Sequence, residues 1–325
     1  MTVFIIRRLA QSLIVLLAMS LIAFGGVYLI GNPIDILIDP NATEAERMAA
    51  EHALGLDQPL WAQYWHFLVN LLHFDLGKSF SASIPVSDLL LQRLPATIEL
   101  TIVAFLVSFL GVPLGVIAGR RPDSLLGKTI MAGSILGISL PSFWIGLMSI
   151  IVFSVWLGWL PSTGRGDTIT ILGTQWALFT WDGIKHLILP GVTLALFNFA
   201  LLIRLARAGM QEALMTDYVK FGRAKGLFER RVVWLHAFKN ILIPIITVQG
   251  LELANLLTGA LLTEVIFAYP GIGRLAIESI HFLDRPVIVG YMMFVVTTFV
   301  VINLLVDIVY GIVDPRVRYS GGGND

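Results

Sequence analysis

Six stretches of this chain are apolar for long enough to cross a membrane, and nothing else in the sequence limits the fold so strongly. A helix needs roughly 20 apolar residues to cross about 30 Å of hydrocarbon. Such runs lie at about 9–30, 98–119, 129–158, 187–206, 241–263 and 287–312. The third is longer than one crossing requires. Lipid offers no hydrogen bonds to the backbone, so runs of this length must be helical. The expected fold class is all-α and integral to the membrane, with six transmembrane helices. Composition agrees. Only 14% of the 325 residues are charged, against about 25% in soluble domains.

The first run follows Arg7 and Arg8 and contains the small-x-small sequence Ala18-Met19-Ser20. Those are features of a cleaved leader. The run continues ten residues beyond that point, however, whereas a leader's apolar region spans about 7–15. A retained helix is expected. There is no cysteine, which excludes disulfides, thiolate nucleophiles and cysteine-based metal sites.

Positive charge sets orientation. With six crossings, 15 of the 22 Lys and Arg residues fall on one side: Arg7, Arg8, Arg120, Arg121, Lys128, eight between Arg204 and Lys239, Arg316 and Arg318. The other side holds Arg47, Lys78, Arg93, Arg165, Lys185, Arg274 and Arg285. The richer side is expected to be cytoplasmic, with both termini inside. Four divisions follow: a first segment and helix at 1–30, an outer loop at 31–97, a core at 98–312 and a tail at 313–325.

The outer loop carries two helix signals. Thr43 and Glu46 fit a capping box. Asp57 and Pro59 fit an N-cap and first turn, after which Leu60, Tyr64, Phe67, Leu68, Leu71 and Leu72 recur at helical spacing. This second helix is amphipathic and too interrupted to cross. It reads as a lid on the bundle or as a docking surface for an outside partner. Asn41-Ala42-Thr43 is a glycosylation sequon by pattern alone.

No catalytic or metal site emerges. Gly127-Lys128-Thr129 and Gly77-Lys78-Ser79 resemble the end of a phosphate-binding loop, which needs a further glycine five residues upstream. Pro122 and Leu72 stand there. The six histidines show no H-x-x-x-H pair, and His66 and His73 lie two turns apart without a carboxylate at ligand spacing. Few ionisable groups interrupt the apolar runs: Glu99 and Arg204 near ends, Glu252 and Asp307 within. Such groups are costly in lipid. Glu252 with Asn255 is the candidate pathway or subunit-interface position, and a plain interhelical hydrogen bond is the alternative.

The loop after the fourth run is the most informative segment. It reads "EALMTDYVKFGRAKGLFERRVVWLHAFKNILIPIIT". Eight Lys and Arg and three acidic residues lie between Arg204 and Lys239, so it cannot lie in lipid. Asp217 is a good N-cap for a helix over 218–225, and Gly226 a good residue to end it. Gly222 and Ala224 are small enough to let a partner approach the backbone. Arg223 and Lys225 put charge at the rim. A second helix then leads back into the membrane. Such a rigid basic knob could carry force between two bodies.

This segment resembles the coupling loop of ABC importer permeases, in particular the B-type permeases of the dipeptide, oligopeptide and nickel family. Asp217, Tyr218, Val219, Arg223, Ala224, Lys225, Gly226, Leu227, His236, Asn240 and Pro244 match that pattern. Phe221-Gly222 stands where Thr-Ala is common, and Lys239 where Arg is common. "GLDQPLWAQYWHFL", "LPATIELT", "SLPSFWIGL", "GWLPSTG", "HLILPGVTLAL", "TEVIFAYPGIGRLAIESI" and the ending "DPRVRY" are similar to other segments of the family, in the same order.

The resemblance implies a type I importer permease fold in the bacterial inner membrane. It implies three kinds of partner chain: a homologous second permease, two ATPase subunits that bind ATP and Mg, and an extracytoplasmic substrate-binding protein. Asp217, Tyr218, Phe221, Gly222, Arg223, Ala224, Lys225, Gly226 and Leu227 would couple to an ATPase. No cofactor is expected in this chain, and ATP hydrolysis would occur on the separate subunits. Di- and oligopeptides are the expected cargo, with nickel chelates, glutathione or sugars as alternatives. Two rival readings are a stand-alone secondary transporter, for which no internal repeat is found, and a scaffold or receptor without transport, which leaves the loop unexplained.

Overall fold

A computed structural model of the chain describes residues 2–29, 42–53 and 57–313. The sequon asparagine, the signature ending "DPRVRY" with Arg316 and Arg318, and nearly all of the tail lie outside the described residues. Among the described residues, five helices are long and apolar enough to cross a membrane, and the sixth candidate is a pair of helices, Leu125–Ser139 and Ser142–Trp156, that meet at a bend of 107°. The six expected runs are therefore present, and the overlong third is long because it is broken. Pro141 stands at the break and caps the second half. It has no N–H to continue the first half, and it biases Leu140 to extended backbone, where Leu140 is found at ψ 136.

The chain forms two compact units, Met1–Pro95 with Gly271–Val301, and Ala96–Pro270 with Ile302–Asp325. In the first unit, α1 (Thr2–Leu29) is mostly apolar on every face beyond Arg7, Arg8 and Gln11. Only Ser20 and Ala23 of its described side chains are buried, so most of its surface is left for lipid or another chain. The capping box forms as expected: Thr43 N–H donates to Glu46 Oε2 at 2.8 Å, and Glu46 N–H donates to Thr43 Oγ1 at 3.4 Å. It starts α2 (Glu44–Ala53).

The next helix, α3 (Leu60–Leu72), is capped by Pro59. Asp57 does not cap it, which corrects the sequence reading; the proline already fixes the φ that the entry needs. The apolar stripe of α3 lies against α1. Tyr64 OH and Ser20 Oγ are 2.8 Å apart, and Phe24 packs on Tyr64 edge-on with centroids at 5.3 Å. No residue of α3 is fully buried.

The first unit also holds the start of α4 (Val86–Phe109). A buried Asp284 carboxylate ties down the loop before it. Ser79 and Ser81 hydroxyls donate to Asp284 Oδ2 at 2.5 and 2.8 Å, and the Phe80 amide to Oδ1 at 3.1 Å. Burial pushes this carboxyl up, but the Ser79 hydroxyl, the Ser81 amide and hydroxyl and the Phe80 amide together outweigh it and hold it below the usual range.

In the second unit, α5 (Gly111–Arg120) packs along α8 (Trp181–Met215), which follows α6 (Leu125–Ser139) and α7 (Ser142–Ser149). The contact is backbone to backbone. A Cβ at Gly111, Gly115 or Gly119 would collide with the carbonyl of Phe199, Ile203 or Arg207 respectively. Spaced four apart, these glycines lie on one helix face, the arrangement that lets membrane helices approach closely. Around α8 gather Val112, Val116, Leu202, Ala206, Met210 and Ile245.

Between α7 and α8 lie a π-helical turn, Ile150–Trp156, and a small hairpin of β1 (Ile169–Ile171) and β2 (Thr174–Trp176), in which Ile169 faces Trp176. Glu99, fully buried on α4, holds this segment. It accepts from Arg165 Nε at 3.0 Å, from Tyr269 OH at 2.9 Å and from the Ala177 amide. Burial first, then the Glu99 charge, push the Tyr269 hydroxyl well up, so it remains a donor.

Candidate coupling site

The helix α8 is 35 residues long, about 50 Å at 1.5 Å per residue. That exceeds the hydrocarbon thickness by about 20 Å, so its charged end stands clear of the lipid. There Thr216 ends one helix and begins the next. Its backbone is extended (φ −69°, ψ 151°), and it serves both as the last cap of α8 and as the first cap of α9 (Asp217–Ala224). The sequence reading put the N-cap one residue later. Asp217 is instead the first helical residue, where its charge suits the helix dipole. It pairs with Lys220 Nζ at 3.0 Å, and both are solvent-exposed.

The far end of α9 terminates as the sequence indicates. Gly226 adopts φ +77°. Its N–H donates to Arg223 O at 2.9 Å, and Leu227 N–H donates to Gly222 O at 3.3 Å. These two bonds are a Schellman motif, which favours glycine at the left-handed position. The apolar contact that accompanies the motif is present too, with Leu227 beside Gly222.

Gly222 is therefore buried against Leu227 and Val232 rather than open to a partner. This corrects the sequence reading of why a small residue stands there. Gly222 and Val219, three apart, form the inward face, and Val219 packs with Val232, Val233 and Ala237. The outward face carries Tyr218, Phe221, Arg223, Ala224 and Lys225, all exposed.

Two contacts fix the knob to the following segment. Arg223 makes a two-point bond to Glu229, Nε to Oε2 at 3.1 Å and Nη2 to Oε1 at 2.8 Å. That hydrogen bonding raises the Arg223 guanidinium and lowers the Glu229 carboxyl from their ordinary ranges. Asn240 donates to the Tyr218 hydroxyl at 2.5 Å. It sits on α10 (Phe238–Gly259), which follows a π-helical segment, Val232–Ala237. The Lys225 ammonium lies 4.5 Å from the Phe221 ring centre. Glu229, Asn240 and Val219 were not chosen from the sequence as site residues. The Arg223–Glu229 spacing of six matches no helical face, so only the turn at Gly226 brings the two together.

The exposed face of this short, doubly anchored helix carries the Phe221 ring with Lys225 over it and Lys220 also exposed, and Arg230 and Arg231 are exposed with Phe228 on the segment that follows. Phe221 is 60% and Phe228 86% exposed. An apolar anchor in a polar rim is how interface hot spots are built. The other candidates sit elsewhere on α10. Glu252 is half-buried and Asn255 exposed, and among the described residues neither side chain has a partner. No cluster of potential metal ligands occurs among the described residues.

Residues 111–319 match the family model "Binding-protein-dependent transport system inner membrane component", and residues 1–101 match the N-terminal model of the same class. The dipeptide transport system permease protein of Alkalihalophilus pseudofirmus is 39% identical, over 98% of this chain and all of that one. The dipeptide transport system permease protein of Escherichia coli K12 is 37% identical, over 98% and 99%. Among solved structures, the methionine ABC transporter MetNI in an inward-facing form aligns with a TM-score of 0.55 at 18% identity, over 70% of this chain and 96% of that one.

Proposed function

The chain belongs to the binding-protein-dependent transport system inner membrane components, and we propose that it is one membrane half of an ATP-driven importer of di- and oligopeptides. Full-length likeness to two dipeptide permeases supports the cargo. A second permease completes the pathway, two ATPase subunits bind and hydrolyse ATP with Mg, and a binding protein outside delivers the peptide. Both termini face the cytoplasm.

The observation that carries the coupling role is the build of α9. Val219 and Gly222 root it in the core, and Phe221 projects from it. An ATPase surface with an apolar socket and an acidic rim would fit this shape. Because Thr216 and the Schellman turn tie α9 to α8 and to the segment leading into α10, a push on Phe221 reaches two crossings directly. ATP binding then biases a two-state membrane domain, and the bias cannot exceed the difference in affinity for the two states. Glu252 and Asn255, whose side chains have no partner among the described residues, suit the contact with the second permease.

Co-purification in mild detergent tests this. The expected result is stoichiometric recovery of a second permease and ATPase subunits, together with ATP-dependent peptide uptake after reconstitution. Recovery of the chain alone, moving solute down an ion gradient, would establish the secondary-transporter reading instead.

A further inference from the structure

The break between α6 and α7 opens a cavity of about 280 Å³. Its lining includes Gly137, Leu140 and Ser142 from the break, Thr193 from α8, Gly259 from the end of α10 and Thr263 from α11 (Leu261–Ile266). Hydrogen bonding stops at this point. Leu140 N–H still reaches Leu136 O at 3.2 Å, and Ile145 N–H reaches Pro141 O at 3.2 Å. Between them, the carbonyls of Gly137, Ile138 and Ser139 and the amides of Ser142, Phe143 and Trp144 have no partner among the described residues. For Gly137 the cause is direct, since the residue four ahead is Pro141, which has no N–H.

A second feature is independent of the break. Thr263 is 4% exposed and lines the cavity, yet its hydroxyl has no partner among the described residues. Thr193, 2% exposed, returns its own hydroxyl to Leu189 O at 2.8 Å. No atom of Thr263 is among the buried polar atoms left without a partner, so its hydroxyl oxygen keeps accessible surface beside the cavity. Unpaired backbone at membrane depth is tolerated where it lines an aqueous path, and broken helices mark substrate sites in transporters.

We propose that this cavity is a contact site for the main chain of the transported peptide. The inference rests on the peptide reading above. Of the unpartnered backbone groups, the carbonyls of Gly137 and Ile138 and the amide of Ser142 belong to residues that line the cavity, Thr263 offers both a donor and an acceptor, and apart from Thr193, whose hydroxyl is already used, the rest of the wall is apolar or glycine. A peptide bond has one N–H and one C=O and matches this set whatever its side chains are. No charged side chain lines the cavity, so it does not select cargo by charge.

The test uses the assembled importer in membrane vesicles with ATP and the binding protein. The probe is a dipeptide containing photo-leucine, whose diazirine labels what it touches on illumination. The expected result is ATP-dependent accumulation, with label mapped to 137–145 or 259–263 and competed equally by dipeptides with unlike side chains. Thr263→Val removes the hydroxyl at nearly constant shape and should lower the uptake rate about fivefold, the equivalent of one hydrogen bond. Gly259→Leu should block uptake more strongly, since a Cβ there meets no atom within 4 Å and the added bulk has room. In both variants, ATP hydrolysis stimulated by the binding protein should persist. Accumulation with label confined to other segments, or with Thr263→Val at the wild-type rate, overturns the site and leaves the peptide reading standing. Failure of the wild type to accumulate any dipeptide overturns that reading and this inference with it. If Gly259→Leu does not assemble, the labelling and Thr263→Val decide.

Discussion

Replacing Arg165 by alanine leaves the Glu99 carboxylate buried beside Tyr269 without its cation. Breaking a buried pair from one side costs about 3–5 kcal/mol, so the variant should lose thermal stability in detergent, read by the temperature of aggregation. Glu99→Gln should be milder, because an amide oxygen can still accept from Tyr269. An unchanged transition in Arg165→Ala would mean that the hairpin segment is held by something else. Gly226 supplies a second test. At φ +77° a Cβ is strained, and Gly226→Ala should cost about 1 kcal/mol. No side chain would clash, since a Cβ there meets nothing within 4 Å. Glycine was legible at this position because backbone conformation is a local property. The burial of Glu99 was not, because its partners lie 66, 78 and 170 residues away.

Among the elements, α9 invites a charge exchange. Arg223→Glu places two carboxylates together and should disturb the turn as well as any contact with an ATPase. The double variant Arg223→Glu with Glu229→Arg restores the internal pair with the charges reversed in place. The expected outcome is recovery of stability without recovery of coupled transport, measured as uptake per ATP hydrolysed. Full recovery of both would mean that Arg223 acts only inside the chain. The pair also has a pH signature. Glu229 is held below its ordinary value by Arg223, so the pair's stabilisation is complete above the unfolded carboxylate range and is lost as pH falls through the folded one. With both side chains about 40% exposed, it is worth no more than about 1 kcal/mol. Asp284 has the same sign, so acid should also release the Ser79–Ser81 loop, seen as faster amide exchange there on acidification once the intrinsic rate is divided out.

Across the whole molecule, the charge bias makes a topology that can be checked directly. The chain has no cysteine, so single cysteines report position without background. Thr170→Cys, in the exposed hairpin, should react in spheroplasts with a maleimide that cannot cross membranes, and Asp123→Cys should react only after lysis. The reverse pattern would invert the assigned orientation. The α5–α8 contact is the other global feature. Gly115→Leu puts a side chain where the Ile203 carbonyl and the Ala206 Cβ lie. Neither is the end of a flexible group, so the two helices must separate, and the expected outcome is loss of folded protein rather than a change in transport.

The sequence by itself determined the six crossings, the capping box at Thr43, the helix end at Gly226 and the family, because each depends on apolar length, local backbone preference or a contiguous motif. It marked the third run as too long but not as bent by 107°. It placed the caps at Asp57 and Asp217 one or two residues away from where proline and threonine set them, because several residue types there can begin a helix. Only the tertiary structure decided that Gly222 faces inward, that Asn240 holds Tyr218, that Glu99 holds the hairpin segment, and that a broken helix, Thr193, Gly259 and Thr263 enclose one cavity. The physical reason is the same in each case: hydrogen bonding and packing join residues far apart in the chain, and no local pattern records which of them will meet.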